Sequence, residues 1–405
     1  MYKFNKEPLL MGTHIGIGFS QEIDTQLATQ QAAAQSRANL PPGKIDIAIV
    51  FSTTHYNPQE IALELHSSFR ETKIIGCSTA GIILPNAVKT RGISVLSIQS
   101  DSMFFGAGAV NNLNKTDTHK AGNLLARETL ANFGRHSRQT FLFFIDGQTV
   151  NNSSFLKGLQ EILGNVFPIL GAGSCDNFKF SNTFQIFENN ALSQSATGLL
   201  IGGHATIGVG CRHGWSPLGK PRTIDNVQGN IIKIINGKAA YELYREYFEE
   251  ESENLRSNQL DKMSILYPLG IFVEGSQEYL LRNAVEILED GSIVCQGDIP
   301  EGGEVHIMIG NKDSCQQAAI QAAEESEKAL AGKKAKLVIV LESMTRLKLL
   351  GRLASEEITE ISRVFGTDVP LIGMYTNGEI GPFQTIEKFK KPYLLNESII
   401  VLAIA

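Results

Sequence analysis

The chain has 405 residues, of which 42% are hydrophobic, and this is enough apolar material to bury the cores of two or more domains. Its formal net charge of -6 argues against nucleic acid or another polyanion as the main partner. No apolar run approaches the roughly 20 residues that span a bilayer, and the N-terminus lacks the apolar core of a signal peptide. The sequence therefore predicts a cytoplasmic protein that does not associate with membranes.

Five cysteines are scattered along the chain without a CxxC pair or an even framework. This spacing argues against structural zinc and against a disulfide scaffold, so we expect reduced thiols. The eight histidines form no HxH or HExxH arrangement. We therefore predict no metal site and no cofactor.

Three segments repeat the order strand, helix, strand, helix, strand, which indicates a duplicated α/β unit. The first is predicted to contain a strand at 14–19, a helix at 27–38, a strand at 45–51, a helix from Asn57 toward Arg70 and a strand ending in 74–81. The second has a strand at 104–110, helices at 118–133 and 154–163, and strands at 141–145 and 169–176. The third has a strand at 305–310, helices at 314–330 and 355–365, and strands at 337–342 and 371–378. A further strand-like run follows each unit, at 92–98, 196–202 and 398–404.

The last strand of each unit ends in a similar loop. The copies read IIGCSTAG (74–81), ILGAGSCD (169–176) and LIGMYTNG (371–378), and each has a hydroxyl residue three places after its glycine. Loops beyond strand ends are where α/β proteins bind ligands. We expect the three loops to occupy matching positions.

The region from Cys211 to about Glu304 departs from the repeat and is predicted to be an inserted α+β segment. Its charged stretch 251–263 is typical of a solvated loop, and EDGSI is a hairpin signal. The predicted fold class is α/β with this α+β insertion, in two domains built from repeated βαβ-type units with mixed sheets. The predicted boundaries are 12–222 for two units, 223–385 for the insertion and third unit, and 386–405 for a closing C-terminal strand.

Several of these motifs resemble the FIST proteins. The similar segments are IIGCSTAG, HGWSPLG followed by GNIIKIINGKAAYELY, and PLIGMYTNGEIGP, and the resemblance covers roughly residues 12–385. It implies a FIST N-terminal domain at 12–222, a FIST C-terminal domain at 223–385, and binding of a small molecule such as an amino acid in signal transduction. Where the family commonly has Cys, two residues and Arg, this chain has Ser343 and Arg346. The resemblance thus preserves the arginine and puts in doubt any role that needs the thiol.

Two charged residues are candidate ligand anchors. Arg346 follows a buried strand, where its guanidinium could hold a carboxylate in a bidentate fork, or it could pair with Glu342 or Glu356. Glu379 could accept a ligand ammonium, cap a helix or pair with a lysine. The sharpest hypothesis makes Arg346 and Glu379 opposite anchors with Thr376 and the Gly378 backbone between them. A salt bridge between the two anchors is equally compatible with the sequence.

The remaining candidates lie in the three loops and at the only tryptophan. The hydroxyls are explained either by close ligand approach or by turn chemistry alone, and Trp215 either walls a pocket or packs in the core. His55 is more typical of a capping or surface residue than of a ligand contact. The full predicted ligand-binding set is Cys77, Ser78, Thr79, Ser174, Asp176, Trp215, Arg346, Thr376, Asn377, Gly378 and Glu379.

Two functional classes remain open, beside a purely structural scaffold. In the first, a non-enzymatic sensor binds a small zwitterionic metabolite such as an amino acid and signals through a separate protein partner. In the second, a hydrolase or transferase uses Cys77 or Cys175 as nucleophile. No histidine stands beside either thiol in the sequence, so the prediction is that the protein is not an enzyme.

Overall fold

The computed structural model describes residues 12–149, 152–179, 181, 183–248, 266–276, 278–300, 302–383 and 391–405. The first unit contains β1 (Thr13–Ser20), α1 (Thr25–Ala38), β2 (Ile47–Thr53), α2 (Pro58–Ser68), β3 (Lys73–Thr79), β4 (Ile82–Leu84), β5 (Ala87–Lys89) and β6 (Ile93–Ser100). The second contains β7 (Met103–Val110), α3 (Thr118–Phe133), β8 (Arg138–Asp146), α4 (Asn152–Leu163), β9 (Ile169–Ser174), β10 (Gln185–Phe187), β11 (Asn190–Leu192) and β12 (Ala196–Gly203).

The third unit is divided by the insertion. It opens with β13 (Ile207–Arg212), and the inserted strands are β14 (Trp215–Gln228), β15 (Ile231–Ile235), β16 (Lys238–Ala239), β17 (Leu269–Ile271), β18 (Leu280–Arg282), β19 (Ala284–Ile287), β20 (Ile293–Cys295) and β21 (Glu304–Gly310). The unit resumes with α5 (Lys312–Ala329), β22 (Leu337–Ser343), α6 (Met344–Leu350), a 3-10 turn (Gly351–Leu353), α7 (Ala354–Phe365), β23 (Leu371–Thr376), β24 (Glu379–Pro382), β25 (Pro392–Leu395) and β26 (Ile399–Ile404). The charged stretch 251–263 lies outside the described residues.

All three units have the same sheet order. The strands follow one another as β1-β6-β2-β3, β7-β12-β8-β9 and β13-β26-β22-β23. In each sheet the second and third strands in chain order run parallel, and the last strand is antiparallel to both of its neighbours. The predicted α/β class with mixed sheets and three related units is therefore confirmed.

The strand predicted to open the third unit is wrong. Strand 305–310 belongs to the sheet of the insertion, and β13 takes the equivalent place beside β26. Both runs are apolar and short, so periodicity alone does not distinguish them. The distinguishing feature is a Gly-x-Gly pair, because a side chain at Gly208 or Gly210 would overlap the carbonyl oxygens of Ser326 or Ala322 in α5.

A Gly-x-Gly pair also occurs in the first strand of each of the other two units. A side chain at Gly16 or Gly18 would overlap the backbone of α1, and one at Gly106 would overlap the backbone at Phe133 in α3. Each first strand thus lies unusually close to the helix that follows it, which only glycine allows. The pairs in HIGIGF, FFGAGAV and IGVGC mark the start of all three units.

Each unit contributes two short paired strands to the sheet of another unit. Strand β4 pairs with β23, β10 pairs with β3, and β24 pairs with β9. The first unit thus reaches into the third, the second into the first, and the third into the second. This cyclic exchange ties the units together by backbone hydrogen bonds.

Alternate residues of the strands face two different cores. Ile49, Phe144 and Leu341 belong to one central cluster shared by all three sheets and the insertion, whereas their neighbours in sequence pack against the helices of their own unit. The sheets are therefore covered on both faces, as the continuous apolar runs predict. Among the described residues, no helix combines the length and apolarity that crossing a membrane requires.

Candidate functional site

The three signature loops lie at equivalent strand ends. Thr79, Ser174 and Thr376 are the last residues of β3, β9 and β23. Each is in register with the last residue of its parallel neighbour, namely Thr53, Asp146 and Ser343. The prediction that the loops occupy matching positions is confirmed.

The loops meet one another inside the protein. The Thr79 hydroxyl donates to the Tyr375 carbonyl at 2.8 Å and accepts from the Tyr375 N–H at 3.0 Å. The Asn377 N–H donates to the Gly173 carbonyl at 2.9 Å, and the Gly173 N–H donates to the Gly378 carbonyl at 2.8 Å. The polar groups of these loops therefore satisfy each other across the unit boundaries.

The other predicted loop residues are also buried and bonded to protein. Ser78 Oγ accepts from the Phe184 N–H at 3.2 Å, and Ser174 Oγ is hydrogen-bonded to the Gln185 side chain at 2.8 Å. Asp176 is 2% exposed. In this conformation the hydroxyls hold the fold together, and none of them faces solvent.

Both candidate nucleophiles are buried thiols. Cys77 Sγ lies 3.5 Å from the sulfur of Met374, and Cys175 Sγ accepts from the Ala80 N–H at 3.1 Å. Burial raises the pKa of both thiols above its usual range. No histidine among the described residues is hydrogen-bonded to either of them. These surroundings favour packing roles.

The guanidinium of Arg346 is fully buried and makes four hydrogen bonds to the protein. Its Nε donates to Glu342 at 3.1 Å and its Nη2 to Glu357 at 2.6 Å. Its remaining bonds are to the carbonyls of His213 at 2.6 Å and Cys315 at 3.0 Å. The guanidinium thus clamps the end of β13, the start of α5 and helix α7 onto β22.

Only one of the two expected partners of Arg346 is used. Glu342 pairs with it, but Glu356 is exposed on α7 and Glu357 takes its place. The reason is the helical period, since Glu357 shares the inward face of α7 with Ala354, Ile358 and Ile361. No salt bridge joins Arg346 to Glu379 within the described ranges.

Glu379 lies in a separate buried polar cluster. It accepts from the hydroxyl of Thr376, and from Ser398 through the backbone N–H at 3.2 Å and the hydroxyl at 2.8 Å. Burial raises the pKa of Glu379 to about 8 and that of neighbouring Glu397 to about 7. Glu397 in turn accepts from Ser343 Oγ at 3.3 Å. At neutral pH this cluster therefore holds protons.

Trp215 packs between the insertion and the helices of the third unit, in a cluster with Met308, Cys315 and Leu350. It is 4% exposed and lies against Gly310, where an added Cβ would approach the indole within 2.6 Å. Its backbone N–H donates to Nδ1 of His213 at 2.9 Å. The tryptophan thus orients a histidine that sequence reasoning did not place in the candidate site.

A cleft lies on the outward side of these buried clusters, and we name it the His213–Glu278 cleft. Its cavity volume in this conformation is only about 10 Å³. Its lining comes from the end of β13, the segment around β18 and the paired strands β24 and β25. The lining residues are Cys211, Arg212, His213, Glu278, Tyr279, Leu281, Pro382, Phe383, Leu395, Asn396 and Ser398.

The cleft offers an acid and an adjacent hydrogen-bond donor. Because Nδ1 of His213 accepts from Trp215, the neutral ring carries its proton on Nε2. Burial and the charge of Arg346 lower the pKa of His213 to about 3, so the ring is neutral at physiological pH. Its Nε2 lies 4.0 Å from Oε2 of Glu278 and makes no hydrogen bond of good geometry with any described residue, although the backbone of Tyr279 lies near enough to favour the protonated ring.

Glu278 has only partial charge compensation. Arg212 lies 3.7 Å from it and also pairs with Glu325, so two carboxylates share one guanidinium. Burial, which outweighs the attraction of Arg212, raises the pKa of Glu278 to about 7. The carboxylate is 23% exposed, so a ligand can reach it. Such a site favours a ligand that brings a positive charge.

Two residues that line the cleft are hydrogen-bonded to the predicted anchors Arg346 and Glu379. His213 lines the cleft with its ring while its carbonyl accepts from Arg346. Ser398 lines it and donates to Glu379. The predicted anchors thus support the walls of this cleft. His213 adjoins the Gly-x-Gly strand β13, which is the signal that could have found it, whereas nothing in the sequence marks Glu278.

The fold and site define an α/β protein of three repeated units with a small polar cleft between the third unit and its insertion. The family model for the FIST N domain matches residues 46–238, and that for the FIST C domain matches residues 240–382. The chain belongs to the FIST family, whose domains are known as small-ligand sensory domains. The predicted boundary at residue 222 lies within β14, whereas the two family models divide the chain between 238 and 240.

Relatives of the chain come from bacteria and archaea. An uncharacterized protein of Mycobacterium tuberculosis is 20% identical over 377 residues, which cover 91% of this chain and 94% of the relative. An uncharacterized protein of Methanocaldococcus jannaschii is 24% identical over 164 residues, or 37% of this chain and 31% of the relative.

Among solved structures, the chain is similar to a cyanuric acid hydrolase from A. caulinodans. The TM-score is 0.41 and the sequence identity 8%, over 97% of this chain and 99% of the other. A second cyanuric acid hydrolase structure has a TM-score of 0.38 and 7% identity, over 97% of this chain and 100% of the other. At these scores the similarity carries no argument about activity.

Proposed function

We propose that this protein is a sensor that binds an α-amino acid or a similar small amine-bearing metabolite in the His213–Glu278 cleft. The observation that carries the proposal is the pairing of the partly compensated Glu278 carboxylate with the Nε2–H of His213, 4.0 Å away, which makes no well-formed hydrogen bond with a described residue. A ligand ammonium would donate to Glu278, and a ligand carboxylate would accept from His213. Both groups stand at the mouth of one small cleft.

The charge of the cleft supports an ammonium. Arg212 serves both Glu278 and Glu325, so the local balance is negative when Glu278 is ionised. A bound ammonium restores the balance and lowers the pKa of Glu278. The neutral His213 ring then supplies a donor to the carboxylate without adding a charge to the protein.

The cleft is nearly closed in this conformation. Its cavity volume is only about 10 Å³, about the minimum that holds one water molecule, so a ligand enters only when the walls of the cleft move apart. Phe383 and Leu281 give the cleft apolar surface beside its polar groups. This combination suits a metabolite with one short side chain.

The position of the cleft supports a signalling role. Its walls belong to the insertion on one side and to the third unit on the other, so a ligand that contacts both favours their closed arrangement. We propose that this change is read by a separate protein partner in the cytoplasm, and that the protein itself performs no catalysis. The buried thiols Cys77 and Cys175 give no separate support to an enzymatic function.

Calorimetric titration with a panel of amino acids and small amines tests the proposal. At least one member should bind, and Glu278→Gln should weaken it by about 10- to 100-fold, because a hydrogen bond to a charged group contributes roughly 1.5 to 3 kcal/mol. Glu286→Gln changes an exposed glutamate of the same insertion and is the matched control. Equal affinities in Glu278→Gln and wild type would show that the cleft is not the ligand site.

The pH dependence of binding gives a second readout. Glu278 must be ionised to accept an ammonium, and its pKa in the free protein is about 7. Affinity should therefore rise by up to tenfold per pH unit below about 7 and level off above it. In Glu278→Gln this dependence should disappear.

A further inference from the structure

Arg91 is a half-buried arginine that pairs with no carboxylate in the part of the chain that the structure describes. It precedes β6, and its guanidinium lies over the ring of Tyr56, 5.6 Å from the ring centre. Its Nε and the hydroxyl of Tyr56 are both buried, and neither has a hydrogen-bond partner among the described residues. A buried donor without an acceptor costs free energy. Something with acceptor atoms is therefore expected to complete this position.

His55 and the charge of Lys179 act on the same position. His55 Nδ1 lies 3.0 Å from Thr53 Oγ1, and Thr53 Oγ1 accepts from the N–H of Gly92, next to Arg91, at 3.2 Å. Burial, then Arg91, then Lys179 lower the pKa of His55. None of the salt bridges between described residues involves Arg91, His55 or Lys179. Arg91 and Lys179 make the cluster cationic while the lowered pKa favours a neutral His55, and the cluster lacks protein counterions within the described ranges.

The equivalent position in the third unit shows what the first unit lacks. Ser52 pairs with Ile93 in the first unit, and Glu342 pairs with Ile399 at the same place in the third. Counting along the chain from these pairs, Arg91 is equivalent to Glu397, and Tyr56 is equivalent to Arg346. In the third unit the cation at this position is neutralised by buried carboxylates. In the first unit the cation is Arg91, at the position of Glu397, and none of the described carboxylates forms a salt bridge with it. The charges at this position are thus neutralised within the protein in the third unit, whereas in the first unit the position is open to an anion.

We propose that Arg91 and His55, with Lys179 at the rim, form a binding site for a phosphate group. His55 and Lys179 are exposed, so a ligand can reach them from solvent. The planar guanidinium of Arg91 matches a phosphate bidentately. A phosphate is favoured over a carboxylate because its second negative charge meets a second cation. The site lies in the first unit and is independent of the His213–Glu278 cleft.

Titration with inorganic phosphate at low ionic strength and near-neutral pH tests the proposal. Phosphate should bind and should raise the pKa of His55 toward its ordinary value, as followed by NMR of the imidazole nitrogens with His55→Gln for assignment. Arg91→Gln should weaken phosphate binding by about tenfold or more, and Lys179→Gln, an exposed change, by a smaller factor. Arg352→Gln, at another exposed arginine, should leave the affinity unchanged.

Three results would overturn the assignment. The first is phosphate binding that is absent or is the same in Arg91→Gln and wild type. The second is acetate binding as tightly as phosphate, which would make the site a monocarboxylate site. The third is a His55 pKa that does not respond to phosphate although Lys179→Gln and wild type are both folded. Glu278→Gln should retain phosphate binding, which separates this test from that of the amino acid cleft.

Discussion

Replacing Arg346 should destabilise the fold strongly. Arg346→Met keeps most of the side-chain length but removes the cation between Glu342 and Glu357, at 3.1 and 2.6 Å. Both carboxylates and the guanidinium are fully buried. Breaking a buried pair by removing one partner costs about 3–5 kcal/mol, because the other charge is left without compensation. We expect the free energy of unfolding to fall by that amount.

Urea unfolding followed by the fluorescence of Trp215, the single tryptophan, measures this loss. Trp215 reports on this region, because its backbone N–H donates to the ring of His213 and the carbonyl of His213 accepts from Arg346. The matched control is Arg363→Met, which breaks an exposed pair in α7 with Glu360 and should cost less than about 1 kcal/mol.

A double-mutant cycle identifies the cause of the loss. In a Glu357→Gln background, Arg346→Met should lower the free energy of unfolding by about 1–3 kcal/mol less than in the wild type, because Glu357 is no longer left as an uncompensated buried charge. A loss no larger than that of Arg363→Met would refute the reasoning. Equal losses in both backgrounds would show that Arg346 stabilises through packing and not through charge.

Two further predictions concern the buried acids and the exchange between units. The pKa of Glu379 is raised to about 8 in the folded protein, so the contribution of its protonated form to stability is present below about pH 4.5 and is lost as the pH rises toward 8. In Glu379→Gln the urea midpoint should therefore fall less between about pH 5 and pH 8.5 than in the wild type. The same pH dependence of the midpoint in both proteins would contradict this. Gly173→Ala should lower the thermal midpoint, because the new Cβ would overlap the carbonyl oxygen of Asn377 from another unit. Gly303→Ala meets only ordinary contacts at 3.4 Å and should change little, so similar midpoints for the two variants would contradict the predicted clash.

Most of the repeated elements could be predicted because they depend on local patterns. Asn57 and Pro58 begin α2 as N-cap and first helical residue, and Gly134 ends α3 with a positive φ of 79°. The strands near 141–145 and 337–342 appear where short apolar runs placed them. Hydrophobic period and capping chemistry act over a few residues, so they are visible in the sequence.

The candidate site was predicted less completely. The sequence indicated that the charges after β22 and β23 lie near a site, but Arg346 is bonded to Glu342 and Glu357 and Glu379 to Thr376 and Ser398. Which carboxylate meets a guanidinium depends on the side of a helix that faces inward and on contacts between distant segments. The distance in sequence between Arg212 and Glu278 gives no hint that they lie 3.7 Å apart.

The existence of three units and the equivalence of Thr79, Ser174 and Thr376 can be deduced from the amino-acid sequence, because repetition and period 2 or 3.6 are properties of the linear chain. Three features become visible only in the folded protein: β13 and not β21 opens the third unit, paired strands are exchanged cyclically, and His213 faces Glu278. Those outcomes depend on which distant backbones pair and approach closely. Hydrogen bonding between strands is the same for any sequence, so the choice of partner emerges from the packing of the whole chain.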